Sequence, residues 1–256
     1  MKITNDAENN YKKLFGDYNG SEILKNDPEL FELFSNFALD QVVNQDDLDD
    51  KTRIISNLAT LIGCQGVDLY KEMVIGALNV GVTPVEIKEI VYQAIAYLGM
   101  GRVYPFIKAT NKVLEDKGIK LPLEGQSTTN QETRLEKGIQ AQVDIFGENM
   151  KEFYKSGPEE SRHINLYLAG NCFGDYYTRG GLDLKQRELV TFCYISAQGG
   201  CEDQLIAHST ANMNLGNDKN FLIKIITQNI PYIGYPRSLN ALKCVNTAFN
   251  QLTNNN

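Results

Sequence analysis

A cysteine and a histidine seven residues apart, Cys201 and His208, are the side chains of this sequence whose types and spacing best fit chemistry. Two glycines precede the cysteine and two carboxylates follow it, a pattern typical of a helix that begins there, because carboxylates favour the positive end of the helix dipole. Seven residues make about two turns, so the thiol and the imidazole share one helix face. An imidazole suits general acid and base catalysis near neutral pH, and a thiol at a helix N-terminus suits nucleophilic or redox chemistry.

Helical periodicity surrounds this pair on both sides. Apolar residues recur at every third or fourth position along most of the chain, and the strict alternation expected of strands is absent. The sharpest local signal is Thr83-Pro84-Val85-Glu86, which combines an N-cap threonine, a proline at the first helical position and a glutamate three residues after the cap. The sequence therefore predicts an all-α fold.

The two halves of the chain are related by an internal repeat. A shift of 135 residues aligns Met73–Leu114 with His208–Phe249 and gives ten identities in 42 pairs, where roughly two or three would arise by chance. Upstream of these segments the best shift becomes 134 residues. The matched pairs include Tyr97 with Tyr232, Arg102 with Arg237, and Arg53 with Arg187. The repeat indicates a tandem duplication of a helical unit of about 100 residues.

Composition places the boundaries of the two repeats. Residues 1–20 are polar and rich in asparagine, which predicts a frayed or surface arm at the N-terminus. The first repeat is expected over residues 21–116 and the second over residues 134–253. Residues 117–133 carry glycine, proline, serine, threonine and asparagine without periodicity and are predicted to form the linker.

The composition of the whole chain argues against several function classes. A formal net charge of −7 and the lack of a dense basic block argue against nucleic acid as a partner. No apolar run approaches the ~20 residues of a membrane span, and the N-terminus lacks the apolar core of a signal peptide, so we expect a cytoplasmic protein. Five widely spaced cysteines argue against a disulfide framework, and two histidines argue against a zinc site. We expect a small-molecule substrate, with no metal and no cofactor.

Three blocks resemble the carboxymuconolactone decarboxylase family, which also includes alkyl hydroperoxidase D-like proteins. They are residues 178–189, residues 201–216 and residues 79–90, the last reading Asn-x-Gly-Val-Thr-x-x-Glu-Ile-x-Glu. The resemblance implies an all-α bundle that assembles into rings, often trimers or hexamers. A chain with two copies of the unit would then form a homo-oligomeric ring with half as many chains, for example a pseudo-hexameric trimer.

The resemblance also implies roles for individual residues. The hydroperoxidase branch uses a glutamate followed by Cys-x-x-Cys-x-x-x-His; Glu188, Cys201 and His208 match its glutamate, first cysteine and histidine, whereas Gln204 replaces the second cysteine. In the first half, residues that cannot do this chemistry stand at the four equivalent positions, namely Ile54, Gly66, Leu69 and Met73. We therefore expect the first repeat to be catalytically silent.

Three further residues are candidates for binding substrate, namely Arg237, Tyr232 and Gln204. Arg237 would anchor a substrate carboxylate if it faced the pocket. Tyr232 and Arg237 both have identical counterparts in the silent half, which favours a scaffold role for them. The same reasoning predicts a structural ion pair for Arg187.

Three functions remain open from the sequence. The first is a cofactor-free decarboxylase in which His208 acts as general acid and base on a small unsaturated organic acid or lactone. The second is a thiol-dependent peroxidase that uses Cys201 with Glu188 and His208 and needs a resolving thiol from elsewhere. The third is a ring-forming, ligand-binding protein without catalysis.

Overall fold

The computed structural model describes residues 2–17 and 22–254, and over these residues it contains helices and no strands, which confirms the all-α prediction. The first repeat comprises α1 (Asn5–Phe15), α2 (Glu22–Asn26), α3 (Pro28–Asn36), α4 (Asp50–Gly63), α5 (Val67–Asn79), α6 (Pro84–Leu98) and α7 (Met100–Asp116). The second comprises α8 (Arg134–Phe146), α9 (Arg162–Tyr167), α10 (Leu184–Gln198), α11 (Glu202–Asn214) and α12 (Lys219–Asn254), the last kinked at Gly234. No helix in this part of the chain combines the length and apolarity needed to cross a membrane.

Local capping signals determine where the central helices begin. The Thr83 hydroxyl accepts a hydrogen bond from the backbone N–H of Glu86, and the Glu86 carboxylate accepts one from the backbone N–H of Thr83, as the sequence predicted for α6. Asp183 and Gln186 form the same reciprocal arrangement at the start of α10. These caps fix the registers of the two helices that face each other across the repeats.

The N-terminal segment differs from the predicted frayed or surface arm. Residues 5–15 form α1, in which Ala7 and Leu14 are buried, and the helix packs against α5. The Thr4 hydroxyl caps it by accepting from the backbone N–H of Ala7. Its polar residues occupy the outer face, which explains why composition alone indicated an arm. Residues 18–20 of the predicted arm lie outside the described residues.

The two repeats share one hydrophobic core. Helices α4 and α10 pack so closely that a Cβ added to Gly63 would lie 2.7 Å from the Tyr194 carbonyl oxygen. Tyr194 in turn donates its hydroxyl proton to the carbonyl oxygen of Ile90 in α6. Helix α12 packs against α4 in the same way as α6 packs against α10. Each repeat therefore completes the core of the other.

The segment between the repeats has no helix over residues 119–129 and is fastened to the second repeat. The Gln126 carbonyl accepts a hydrogen bond from the backbone N–H of Gly180 at 2.9 Å. The hydroxyls of Thr128 and Thr129 donate to the carbonyls of Thr178 and Gly174. The linker is thus an ordered strap along one side of the bundle.

Candidate active site

A buried carboxylate and an imidazole meet at the centre of the second repeat. Glu188 Oε2 lies 2.7 Å from His208 Nδ1; the glutamate is fully buried, and the histidine side chain is 10% exposed. Glu188 comes from α10 and His208 from α11. The Asn212 amide ties the two helices together at this point, since its Nδ2 donates to the backbone carbonyls of both Glu188 and His208. The structure thus brings two of the three predicted catalytic residues together.

Hydroxyl groups complete the surroundings of the glutamate. Tyr177 donates to Glu188 Oε1 at 2.7 Å, so both carboxylate oxygens are engaged. The Tyr177 oxygen also lies 2.7 Å from the Tyr97 hydroxyl and 2.9 Å from the Thr191 hydroxyl. Because the single proton of Tyr177 goes to Glu188, the other two hydroxyls must donate to Tyr177. The Cys172 thiol, 3.8 Å from the Tyr97 oxygen, begins this line of donors.

Burial keeps this line of donors protonated. It raises the pKa of Cys172 to about 12 and holds the pKa values of Tyr97 and Tyr177 well above their ordinary range, and the nearby charge of Glu188 adds to each effect. Each group therefore keeps its proton near neutral pH and presents it towards the carboxylate. The carboxylate, stabilised as an acceptor, in turn favours a proton on His208 Nδ1.

Two aromatic rings confine the imidazole. The rings of Tyr97 and Phe146 each meet His208 edge-on, with centroids 5.5 Å away. Phe146 ends α8, and Tyr97 crosses from α6 of the first repeat. No hydrogen bond to His208 Nε2 occurs among the described residues, so this nitrogen is the atom that a substrate would meet. The site therefore presents one proton-transfer atom between apolar walls.

The elements that carry these groups have unusual local geometry. Cys172 and Tyr177 lie in Leu168–Tyr177, a widened helical segment with hydrogen bonds five residues apart that continues α9. Such segments are rare and are frequent at functional sites. Helix α8 lies directly against it, because a Cβ at Gly138 would fall on the Ala169 carbonyl oxygen.

An ion-pair cluster lies behind the site. Arg187, adjacent to Glu188, is fully buried and pairs with Glu89, which also receives a two-pronged contact from Arg179. Gln93 accepts a hydrogen bond from Arg187 Nη1 and donates to the Thr191 hydroxyl. The structural ion pair predicted for Arg187 is confirmed. The cluster locks α6 of one repeat onto α10 of the other.

Cys201, the third predicted catalytic residue, lies apart from this centre. It is the N-cap residue of α11, is partly buried, and accepts a 3.4 Å hydrogen bond from Gln198. At 1.5 Å rise per residue, seven residues separate its backbone from that of His208 by about 10 Å along the helix. No contact joins Cys201 to His208 or Glu188 in the described residues. Cys172 is instead the thiol that contacts the network, through the Tyr97 hydroxyl.

The three predicted substrate-binding residues occupy different places. Gln204 is exposed one turn before His208 on α11, a position at the rim of the site. Arg237 is exposed and lies near Gly199, at the Cys201 end of that helix. Tyr232 lies on the other side of the molecule, where its ring contacts Phe34 at 6.2 Å. Of the three, only Gln204 lies on the same helix as His208, four residues before it.

Tyr232 occupies the first-repeat equivalent of the active site. It lines a cavity of about 10 Å³ together with Arg53, Ile54, Asn57 and Gln228. Ile54 stands where the second repeat has Glu188, and buried Met73 stands where it has His208. The first repeat thus has apolar side chains at the positions of the Glu188–His208 pair. Over the described residues there is also no group of three potential metal ligands.

The sequence did not reveal the site residues that lie far from Glu188 and His208 along the chain. Tyr97, Tyr177 and Phe146 were not singled out as site residues. The one available signal was the repeat itself, since the match of Tyr97 with Tyr232 marks a position that both repeats preserve. Tyr97 packs into the second repeat and Tyr232 into the first. This exchange follows only from the packing of α6 and α12 against the opposite repeats.

Comparison with known proteins identifies the family to which the chain belongs. The model of the carboxymuconolactone decarboxylase family matches residues 28–112 and 166–247, more than half of the chain. The chain is 27% identical over 124 residues to 4-carboxymuconolactone decarboxylase of Acinetobacter baylyi, an alignment that covers 48% of this chain and 92% of that protein. A solved structure from Burkholderia xenovorans LB400, provisionally described as a gamma-carboxymuconolactone decarboxylase subunit, shares 19% identity, with a TM-score of 0.53 and 96% of each chain covered. This chain belongs to the carboxymuconolactone decarboxylase family, with two copies of the family unit in tandem.

Proposed function

We propose that the protein is a cofactor-free enzyme that decarboxylates a small unsaturated organic acid or lactone, with His208 as its proton-transfer group. The observation that carries this proposal is the buried 2.7 Å contact between Glu188 and His208 Nδ1, with the rings of Tyr97 and Phe146 packed edge-on against the imidazole. The relative from Acinetobacter baylyi, named 4-carboxymuconolactone decarboxylase, supplies the substrate class.

In the proposed reaction, the bond between the substrate carbon and its carboxylate breaks and carbon dioxide leaves. The bonding electrons remain on the substrate as an extended enolate, and His208 Nε2–H then delivers a proton to carbon. Apolar walls favour loss of the charged carboxylate, because they solvate it poorly. Glu188 stabilises the protonated imidazole before transfer, and the Tyr177 hydroxyl keeps the carboxylate oriented. The imidazole regains its proton from solvent.

Gln204 is the residue we assign to substrate binding at the rim, since its amide lies one turn from His208. Arg237 and Tyr232 are not assigned to this centre, because their described contacts lie elsewhere. Cys201 is likewise separate from the proton-transfer pair. A thiol peroxidase of this type would need Cys201 to exchange protons with His208, and no hydrogen bond joins the two in the described residues, which supports decarboxylation.

We further propose that the chain self-associates into a ring. Met100 and Tyr104 at the start of α7 are exposed apolar residues, and the repeat places exposed Tyr235 and Leu239 at the equivalent positions of α12. One chain thus carries the same kind of apolar patch twice, which suits a closed ring of two-repeat chains. Light scattering should give a multiple of the 28.7 kDa chain mass, and a monomer would refute this part.

The experiment that tests the proposed function measures carbon dioxide release from 4-carboxymuconolactone by the wild-type protein and by Cys201→Ser. We expect turnover by both proteins at similar rates, since the thiol lies outside the centre. In parallel, the wild type is given an organic hydroperoxide with a small thiol. Hydroperoxide-dependent thiol oxidation that Cys201→Ser abolishes, together with no decarboxylation, would establish the peroxidase alternative instead.

A further inference from the structure

A groove separate from the His208 centre lies between α6, α7 and the linker. Residues 121–126 of the linker cross over the two helices and leave a cavity of about 460 Å³, a size typical of small-molecule sites. Val85 and the linker leucines Leu121 and Leu123 form an apolar wall. Neither Glu188 nor His208 lines this space, so it is not an extension of the catalytic centre. We call it the linker groove.

The floor of the linker groove holds a buried ammonium group without a counter-ion. Lys88 is only 8% exposed, and its Nζ donates to Asn111 Oδ1 and lies 5.4 Å from the Tyr92 ring centroid. Among the described residues, no carboxylate lies within 4.0 Å of this nitrogen. An ammonium carries three donors, and the protein satisfies one of them. An ammonium group with two unused donors and no carboxylate partner is complementary to an anionic ligand group.

A second cation lies on the same ring. The Arg179 guanidinium carbon is also 5.4 Å from the Tyr92 centroid. Its Nε and Nη2 are bonded to Glu89, whereas Nη1 has no hydrogen bond in the described part of the chain. Glu89 cannot serve Lys88, because Arg179 and Arg187 already occupy both of its oxygens. Lys88 and Arg179 Nη1 therefore both have donor capacity left for a ligand.

The charges at the rim limit which anion fits. Three carboxylates line the linker groove. That of Glu89 is paired with Arg179 and Arg187, whereas those of Glu115 and Glu124 would repel a multiply charged ligand such as a phosphate. A single carboxylate meets about half the repulsion that a doubly charged ligand would, and it still supplies an acceptor for Lys88. The apolar wall suits a hydrocarbon body attached to it.

We propose that the linker groove is a second ligand site that binds a small organic monocarboxylate. The ligand carboxylate pairs with Lys88, and its apolar body lies against Leu121 and Leu123. The site depends on the linker between the repeats, and it is independent of the proton chemistry at His208.

The test is a fluorine NMR titration of the full-length protein with 4-fluorobenzoate as the probe. We expect saturable binding to the wild type, equal binding to His208→Gln, and at least about tenfold weaker binding to Lys88→Met, because a charge-assisted contact is lost. Lys71→Met is the matched control, since Lys71 is an exposed lysine on α5 outside the groove, and its affinity should equal that of the wild type.

Leu123→Asp is a second variant, in which the substituted residue lies in the linker and the helices keep their sequence. It places a negative charge on the linker wall and should weaken probe binding by a similar factor, even if Lys88→Met fails to fold. Three results would overturn the proposal: no saturable binding to the wild type, unchanged affinity in both groove variants, or loss of binding in His208→Gln. The last result would place the probe at the catalytic centre.

Discussion

The ring of Tyr97, from the first repeat, lies edge-on to the imidazole of His208, from the second, with centroids 5.5 Å apart. The Tyr97 hydroxyl is hydrogen-bonded to the Tyr177 hydroxyl, which in turn donates to Glu188. The repeat equivalent of Tyr97, Tyr232, packs beside Ile54 in the silent half. The candidate active site is therefore built from both repeats, although Glu188 and His208 both come from the second.

This sharing gives a matched pair of variants. Tyr97→Phe removes one donor to Tyr177 and should lower kcat by roughly tenfold, because a buried hydrogen bond in the network loses its partner. Tyr232→Phe makes the same change at the equivalent position and should leave kcat unchanged. Steady-state decarboxylation over a range of pH checks this, and we expect the pH profile to move only for Tyr97→Phe. Equal effects of the two substitutions would show that Tyr97 acts only through packing.

Alkaline pH should destabilise the fold. Burial raises the pKa values of Cys172 and Cys193 from 9.0 to about 12 and holds those of Tyr97, Tyr177 and Tyr194 well above 10.0. Since these groups ionise first in the unfolded chain, their contribution to stability is complete below about pH 9 and is lost as the pH rises towards 12. Each such group adds a slope approaching about 1.4 kcal/mol per pH unit to the decline.

Urea unfolding at pH 7, 9, 10 and 11 measures this decline directly. Cys193→Ala serves as the control. It should be less stable than the wild type at pH 7, because the substitution leaves a cavity. Above pH 9 its free energy of unfolding should fall less steeply with pH, by the contribution of one thiol to the slope. A free energy of unfolding that stays constant between pH 9 and 11 would contradict the assignment of these groups as buried and neutral.

The contact between α8 and the widened segment Leu168–Tyr177 should be sensitive to a single methyl group. Gly138→Ala would push a Cβ onto the Ala169 carbonyl and to within 2.7 Å of the Gly174 nitrogen. We expect a loss of about 2–4 kcal/mol in the free energy of unfolding, because backbone must move. Gly101→Ala in α7 is the control, since nothing lies within 4 Å of its added Cβ, and it should be neutral or slightly stabilising. Chemical denaturation compares the two variants, and equal stabilities would show that α8 is not closely packed there.

Local sequence signals were sufficient for the fold class and for the ends of several helices. The Thr83–Glu86 cap is realised as predicted, and α11 begins at Cys201 with His208 two turns later. Helical periodicity and capping depend on residues close in sequence, which is why they could be recognised. The polar segment before residue 16 was misjudged because α1 buries only a narrow stripe, centred on Ala7 and Leu14.

The composition of the site was less accessible to sequence reasoning. A shared helix face predicted that Cys201 and His208 would act together, but two turns place them about 10 Å apart along the axis. The groups that do reach the centre, Tyr97, Tyr177 and Phe146, come from three other segments and meet only through packing between helices. Glu188 was identified because the resemblance to a family marked its position, and the 2.7 Å contact with His208 agrees with that assignment.

The measurement that tests the central claim most directly compares His208→Gln with the wild type in single-turnover decarboxylation of 4-carboxymuconolactone. If His208 Nε2 delivers the proton, the rate should fall by about 10²–10⁴-fold while substrate affinity changes little, since glutamine keeps the polarity and approximate volume of the side chain. The melting temperature of the variant provides the check that it folds. Decarboxylation by a folded His208→Gln at the wild-type rate would contradict the role assigned to the Glu188–His208 pair.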